Sequence, residues 1–273
     1  MKRIINYFNL KYNSNKIICI FLGAVIYQFL IYLQLINNPY QYNFYDLIIS
    51  QFGYLNVFYL LSFLLLLLLY NICNNNNFYK YYYLRCRNKV NVYNMNILII
   101  CIMVIIFLLV LNLSAIVECV LHVSFENQWS SHFLYTMNGN VNLFFEKESV
   151  NFITNVLSPF DYIIYINIFI TLYLIFLGSS FCAINAYVKN RALAFILEII
   201  MIAINMIIDS GNGIISKLSF TYNIFFITTS YEQMQNGNYI LYRLLYWLIL
   251  ILIVYALGIF FTKKTDYKFE EIV

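Results

Sequence analysis

Glu198 is the only charged residue inside the apolar run Ala192–Ile208, which Asp209 closes. An ionised carboxylate in such a run is costly unless it is paired or faces a cavity. Two chemistries answer that cost. Arg191 lies seven residues back, on the same helix face at 100° per residue, and could pair with it. Alternatively the carboxyl lines or gates a polar path. Asn205, seven residues on, shares roughly the same side, and Tyr59 and Ser62 give an earlier apolar run a small polar face. Tyr59, Ser62, Glu198 and Asn205 are therefore candidate conduit-lining residues. Polar groups in buried spans also hydrogen-bond between helices, and that reading stands beside the first.

Other reactive constellations are sparse. Glu118 and His122 stand four apart, on one face of a helix, as a metal could use. A lone Glu/His pair at the end of an apolar run is more often a hydrogen-bonded terminus, so no metal site is expected. His132 is the only other histidine, and there is no H-E-x-x-H, no G-x-S-x-G and no phosphate-binding G-x-x-x-x-G-K-[ST]. The expectation is a non-enzymatic chain with no cofactor of its own. Six cysteines lack C-x-x-C or Cys/His spacing. Cys19, Cys101 and Cys182 sit in apolar runs as small hydrophobes, and Cys86, between Arg85 and Arg87, is at most a thiol of lowered pKa.

The elements that would position these residues follow from composition. Hydrophobic residues make up 63% of 273 and charged residues 10%, with a mean hydropathy of +0.74. Soluble domains carry about a quarter charged residues, so lipid is the expected solvent. The excess of Asn, Ile, Lys, Tyr and Phe fits an AT-rich genome. About 20 mostly apolar residues cross a bilayer, and six segments fit: Ile17–Ile36, Leu55–Cys73, Ile97–Leu121, Tyr162–Ile184, Ala192–Asp209 and Tyr239–Thr262. Lipid leaves no partner for an unpaired peptide group, so each must be a helix. The fold class is an all-α integral membrane protein, one transmembrane domain over 1–273.

Orientation follows from the basic residues. With the N-terminus in the cytoplasm, thirteen of the sixteen lie inside, leaving Lys147, Lys217 and Arg243 outside. That is a strong positive-inside bias. It also argues against a seventh span at Gly213–Tyr231, which would export Lys263, Lys264 and Lys268; a re-entrant or interfacial helical pair fits better. Both termini are then cytoplasmic. Among the outer segments, Asn43–Asp46 reads as a capping start for a short helix ending near Gly53. In the long outer loop 122–161, Phe152, Ile153, Val156, Leu157 and Phe160 recur at helical spacing, predicting a surface helix. Ser158-Pro159-Phe160-Asp161 supplies an N-cap, a first-position proline and a first-turn acid for the fourth span.

The layout resembles the permease subunits of type-2 ABC exporters, of the kind that low-GC Gram-positive bacteria use for peptides, bacteriocins or drugs. The likeness runs through MKRIINYFNLKYNSNK, YYYLRCRNKVNVYNMNILII, LGSSFCAINAYVKNRALAFILEI and GIFFTKKTDY. It implies a bacterial cytoplasmic membrane and a dimer, of two copies or of this chain with a similar permease. It implies a separate ABC ATPase subunit that holds ATP and Mg, and a path along the dimer interface between spans two and five. A peptide, a drug or a lipid-like molecule fits the substrate role equally. The alternative is a non-transporting immunity or sensor protein of a bacteriocin system.

The cytoplasmic stretch 74–96 is where an ATPase would dock in that family. Its four basic residues on a tethered loop leave too small a footprint for nucleic acid. Lys80 and Arg87 fall on one helical face, Arg85 and Lys89 nearly opposite, so it is not a one-sided lipid-binding amphipath. By the resemblance, Tyr81, Tyr82 and Leu84 fill an ATPase groove while Arg85 and Arg87 orient it. The plain alternative is a topology anchor with tyrosines among the lipid headgroups.

Overall fold

The computed structural model describes residues 14–71, 89–120, 123–140, 146–209 and 216–264. The coupling-loop residues Tyr81, Tyr82, Leu84, Arg85 and Arg87, and His122, lie outside the described residues.

The described chain is helical. Five helices are long and apolar enough to cross a membrane: α1 (Ser14–Ile36), α4 (Lys89–Cys119), α7 (Pro159–Val188), α8 (Arg191–Asp209) and α11 (Tyr239–Lys264). The span expected at Leu55–Cys73 is α3 (Asn56–Leu69), which is preceded by α2 (Phe44–Gln51). Only together do α2 and α3 reach crossing length, across a bend of 59°. The first six residues of α3, Asn56–Leu61, wind as a π-helix. Wider turns of this kind gather at functional sites.

α7 is the central helix. Half of its most apolar window is buried, and it packs against α11, α4, α8 and α3. Close approach is possible because its middle is Gly178-Ser179-Ser180, and small residues let backbones meet where lipid offers no hydrophobic drive. A Cβ on Gly178 would stand 2.5 Å from Ile100 Cγ2 and 2.8 Å from Leu69 Cδ1. The hydroxyls of Ser179 and Ser180 donate back to Phe176 O and Leu177 O, both at 2.9 Å, so they bury without cost in lost partners. α1 packs on α4, α2 and α3 at the flank.

Helix ends follow the capping chemistry. Asn43 and Asp46 close a reciprocal capping box at α2: Asp46 N–H donates to Asn43 Oδ1 at 3.1 Å, and Asn43 N–H to Asp46 Oδ2 at 2.7 Å. Ser158 caps α7 with Pro159 as its first residue. Lys189 ends α7 at φ 59, and Asn190 Oδ1 then accepts from the N–H groups of Ala192 and Leu193 to start α8.

One end of the bundle is elaborated by short helices: α2, α5 (Ser131–Asn140), α6 (Lys147–Val156), α9 (Phe220–Ile224) and α10 (Tyr231–Gln235). Hydrogen bonds tie them together. Asn43 Nδ2 donates to Gln128 O at 2.7 Å, Trp129 Nε1 to Leu157 O at 3.1 Å, Ser149 Oγ to Thr229 O at 2.9 Å and Tyr231 N–H to Glu146 Oε2 at 2.9 Å. The surface helix expected to carry Val156 and Phe160 is shorter than its apolar spacing. α6 ends at Val156, Leu157 is extended, and the buried face is Ser149, Val150 and Ile153. Val156 and Phe160 are 58% and 52% exposed. Pro159 disfavours helical geometry at the preceding residue, so Ser158 breaks the run.

Asn43 joins the cap to the Gln128 latch. Asn43→Ala is expected to cost about 1 kcal/mol for the cap. That lowers the melting temperature by roughly 2–4 °C in a chain of this size. A thermal melt of the purified protein checks it, and an unchanged midpoint would show that the cap and latch contribute nothing.

Candidate functional site

α8 turns one narrow stripe inward: Ala194, Glu198, Ile202 and Asn205. The spacing of four, four and three is the face of an amphipathic helix. Its other side, from Leu193 through Ile196, Ile200 and Ile204 to Ile207, is exposed and aliphatic. Two polar groups thus sit on the only face that α8 buries.

Glu198 is fully buried, and neither carboxylate oxygen has a hydrogen-bond partner. Arg191 does not pair with it. The Arg191 guanidinium lies over the Tyr70 ring of α3, 5.2 Å from its centroid. Seven residues along a helix is about 10 Å of rise, so sharing a face does not bring the two heads together. Glu198 faces α7 instead. Ser180 is the one side chain within hydrogen-bonding reach of it, and in this arrangement its hydroxyl turns to Leu177 O at 2.9 Å instead.

Tyr173 of α7 is the hub of this interior, and sequence reasoning missed it. Its hydroxyl meets Ser62 Oγ at 2.8 Å, the Glu198 carboxylate lies near enough to act on it electrostatically, and its ring packs edge-on to Phe58 at 5.4 Å. Ser62 also donates to Val57 O at 2.7 Å, the carbonyl that receives its own backbone N–H at the end of the π turn. Asn205 joins from the elaborated end: its Oδ1 accepts from Phe220 N–H at 2.5 Å, and the Phe220 ring lies 5.8 Å from that of Tyr173. Ser62, Glu198 and Asn205 are thus grouped around Tyr173, these four within 1% of full burial, with the half-buried Phe220 beside them.

Tyr59 stands apart. It is 58% exposed and donates to Met206 Sδ of α8 at 2.9 Å. With Phe63 against Phe195 at 5.8 Å and Tyr70 against Phe195 at 6.0 Å, it forms a seam of long side chains that bridges α3 and α8, whose backbones each pack on α7. The arrangement offers an aromatic outer seam backed by a small polar interior.

A comparison of the chain with protein-family models, with curated proteins and with solved structures found no match. The site is therefore read from its own chemistry. Among the described residues, no group of three or more His, Cys, Asp or Glu side chains is placed to hold a metal. At the flank, the fully buried Gln28 of α1 lies against Glu118 of α4. At the end of α1 and α3 away from the short helices, Asn15, Lys16, Cys19, Ile20, Leu67, Tyr70 and Asn71 line a groove of about 360 Å³. Arg243, which the sequence marks only as an outer-side charge, is 2% exposed. No sequence pattern announced it, because its neighbours other than Tyr239 come from three separate segments.

Proposed function

We propose that this chain is the membrane-embedded permease subunit of an ATP-driven exporter, working with a separate ATPase and with a second permease, either its own copy or a similar chain. The observation that carries the reading is the α3–α8 seam. The family resemblance assigns the path to the interface between spans two and five. Here aromatic side chains of α3 bridge to α8 across the flank of α7, Tyr59 and the aliphatic face of α8 are exposed, and Glu198 is buried on the opposite face of α8. An unpaired buried carboxyl weakens packing, so its presence is better accounted for by a working role than by stability.

In this reading the seam faces the partner permease and the substrate passes along it. Closure of the ATPases shifts the balance between inward- and outward-open arrangements, because the two arrangements differ in affinity for substrate and nucleotide. Energy enters through the loop 74–96. Both ends of the chain and that loop face the cytoplasm, and the elaborated end faces outward.

The test combines assembly and coupling. Purified gently from its native membrane, the chain should carry an ATPase with it. Replacing Tyr82 and Arg85 together by alanine should leave membrane insertion intact and lower export by roughly tenfold or more, the worth of one lost charge-assisted contact. Recovery of no ATPase from intact membrane complexes would overturn the reading. An immunity or sensor protein would instead keep its effect after deletion of every ATPase partner.

A further inference from the structure

Arg243 sits in the second turn of α11 with its guanidinium sealed inside the elaborated end. Nη2 donates to Thr229 Oγ1, while Nη1 is buried without a partner. The Tyr222 ring lies under the guanidinium, 4.9 Å from ring centroid to Cζ. The Tyr222 hydroxyl is also within hydrogen-bonding reach of the guanidinium, and Tyr239 and Tyr162 bear on its charge from farther off. No carboxylate is among them. The acids on the neighbouring elements are engaged or exposed: Asp161 accepts from Ser158 Oγ at 2.7 Å, Glu146 from Tyr231 N–H and Ser149 Oγ, and Glu148 and Glu232 are exposed.

A guanidinium does not escape burial by losing its proton. Rings of tyrosine attract it, but they do not neutralise it, and its planar fork of donors is suited to an oxyanion. Two further sources of positive potential meet it. Tyr162 belongs to the first turn of α7 and Tyr239 opens α11, so the N-terminal ends of two long helices converge on the same spot. Thr229 and Tyr222 contact it directly, and Tyr162 and Tyr239 lie within electrostatic range.

We propose that Arg243 anchors an oxyanion-binding site at the elaborated end, which takes one carboxylate or phosphate group between the first turns of α7 and α11. The anion completes the pairing of Nη1, and the Thr229 hydroxyl, which accepts from Nη2, has its own proton to donate to it. Tyr222 and Gln233, bonded hydroxyl to amide oxygen, are the half-buried members of the shell and form its entry side. A phosphate at this position comes either from solution or from an anionic lipid headgroup. The site stands whether or not the chain is a permease.

The chain carries its own reporter. Trp247 lies one turn beyond Arg243, fully buried, with its indole N–H on Asn223 O at 3.1 Å. Trp129 is the only other tryptophan, so a Trp129→Phe background isolates the signal. The full-length protein is placed in phosphatidylcholine nanodiscs. One arm titrates sodium phosphate, then sodium acetate, at constant ionic strength; the other replaces part of the lipid with phosphatidylglycerol. A saturable change in Trp247 emission is expected in at least one arm. Arg243→Gln should weaken half-saturation by roughly tenfold or more, and Arg243→Lys should weaken it less. A response to the soluble anions alone assigns a solute, and a response to phosphatidylglycerol alone assigns a headgroup. No response in either arm, or an equal response from Arg243→Gln, overturns the proposal. Where Arg243→Gln does not assemble, the wild-type titration and Arg243→Lys decide it: a flat wild-type response, or a lysine variant with unaltered half-saturation, is then the overturning result.

Discussion

Gly178→Ala is expected to destabilise the folded protein by about 1–3 kcal/mol, the usual cost of forcing one extra carbon into a packed interior. Gly178→Leu should yield no folded protein. The added methyl meets two different neighbours. Leu69 Cδ1, at 2.8 Å, is the far end of a flexible side chain and can swing away. Ile100 Cγ2, at 2.5 Å, is a branch on a β-carbon whose χ1 is nearly fixed in a helix. The strain therefore falls on the α4–α7 contact. This gives a second measurement that a general loss of stability would not reproduce. Ile100→Ala alone should cost about 2–5 kcal/mol through the cavity it leaves. In the Gly178→Ala background it should cost less, with a coupling of about 0.5–3 kcal/mol by reversible unfolding in detergent. Strictly additive losses would show that α7 does not approach α4 through Gly178.

That contact also shows where sequence reading stops. Helix starts were legible wherever one side chain decides them. Asn43 with Asp46, and Ser158 with Pro159, carry local chemistry that works over three or four residues. The extents of helices were less legible, because hydropathy marks what lipid tolerates and not where hydrogen bonding ends. α4 already includes Lys89 to Asn96 ahead of Ile97, since Asn91, Asn94 and Asn96 continue a helix even though they interrupt an apolar run. The second expected span is broken for the opposite reason: its apolar run is continuous, but Gly53 and the π turn at Asn56–Leu61 redirect the backbone by 59°.

Partners in space were the least legible. Glu198 and Arg191 share a face by arithmetic, yet Arg191 finds the Tyr70 ring on α3. Tyr173 looks like one more aromatic in an apolar run, and only the packing of α3, α7 and α8 makes it the link between Ser62, Glu198 and Asn205. Arg243 reads as a topology marker until Tyr162, Tyr222 and Thr229 arrive from different parts of the chain to join Tyr239 of its own helix.

Glu198 yields the other large effect, and two substitutions separate its meanings. Glu198→Leu removes a buried carboxyl whose oxygens have no partners, so it should leave stability unchanged or raise it by about 1–3 kcal/mol, the desolvation cost of an unsatisfied polar group. In the proposed exporter the same variant should lower export by roughly tenfold or more, because the stability–activity trade-off runs that way at working sites. A more stable and inactive leucine variant identifies a group kept for function. A more stable and fully active one would make Glu198 an accident of packing and remove the strongest observation behind the proposed path. Glu198→Gln then asks which property is used. Glutamine keeps a polar head of the same size but cannot ionise. If the carboxyl serves as a neutral hydrogen-bonding group that meets substrate or Tyr173 when α3 and α8 separate, glutamine should retain most of the export. If export requires a charge that appears only when the seam opens to water, glutamine should fail as leucine does, since no rearrangement of the helices can restore that charge.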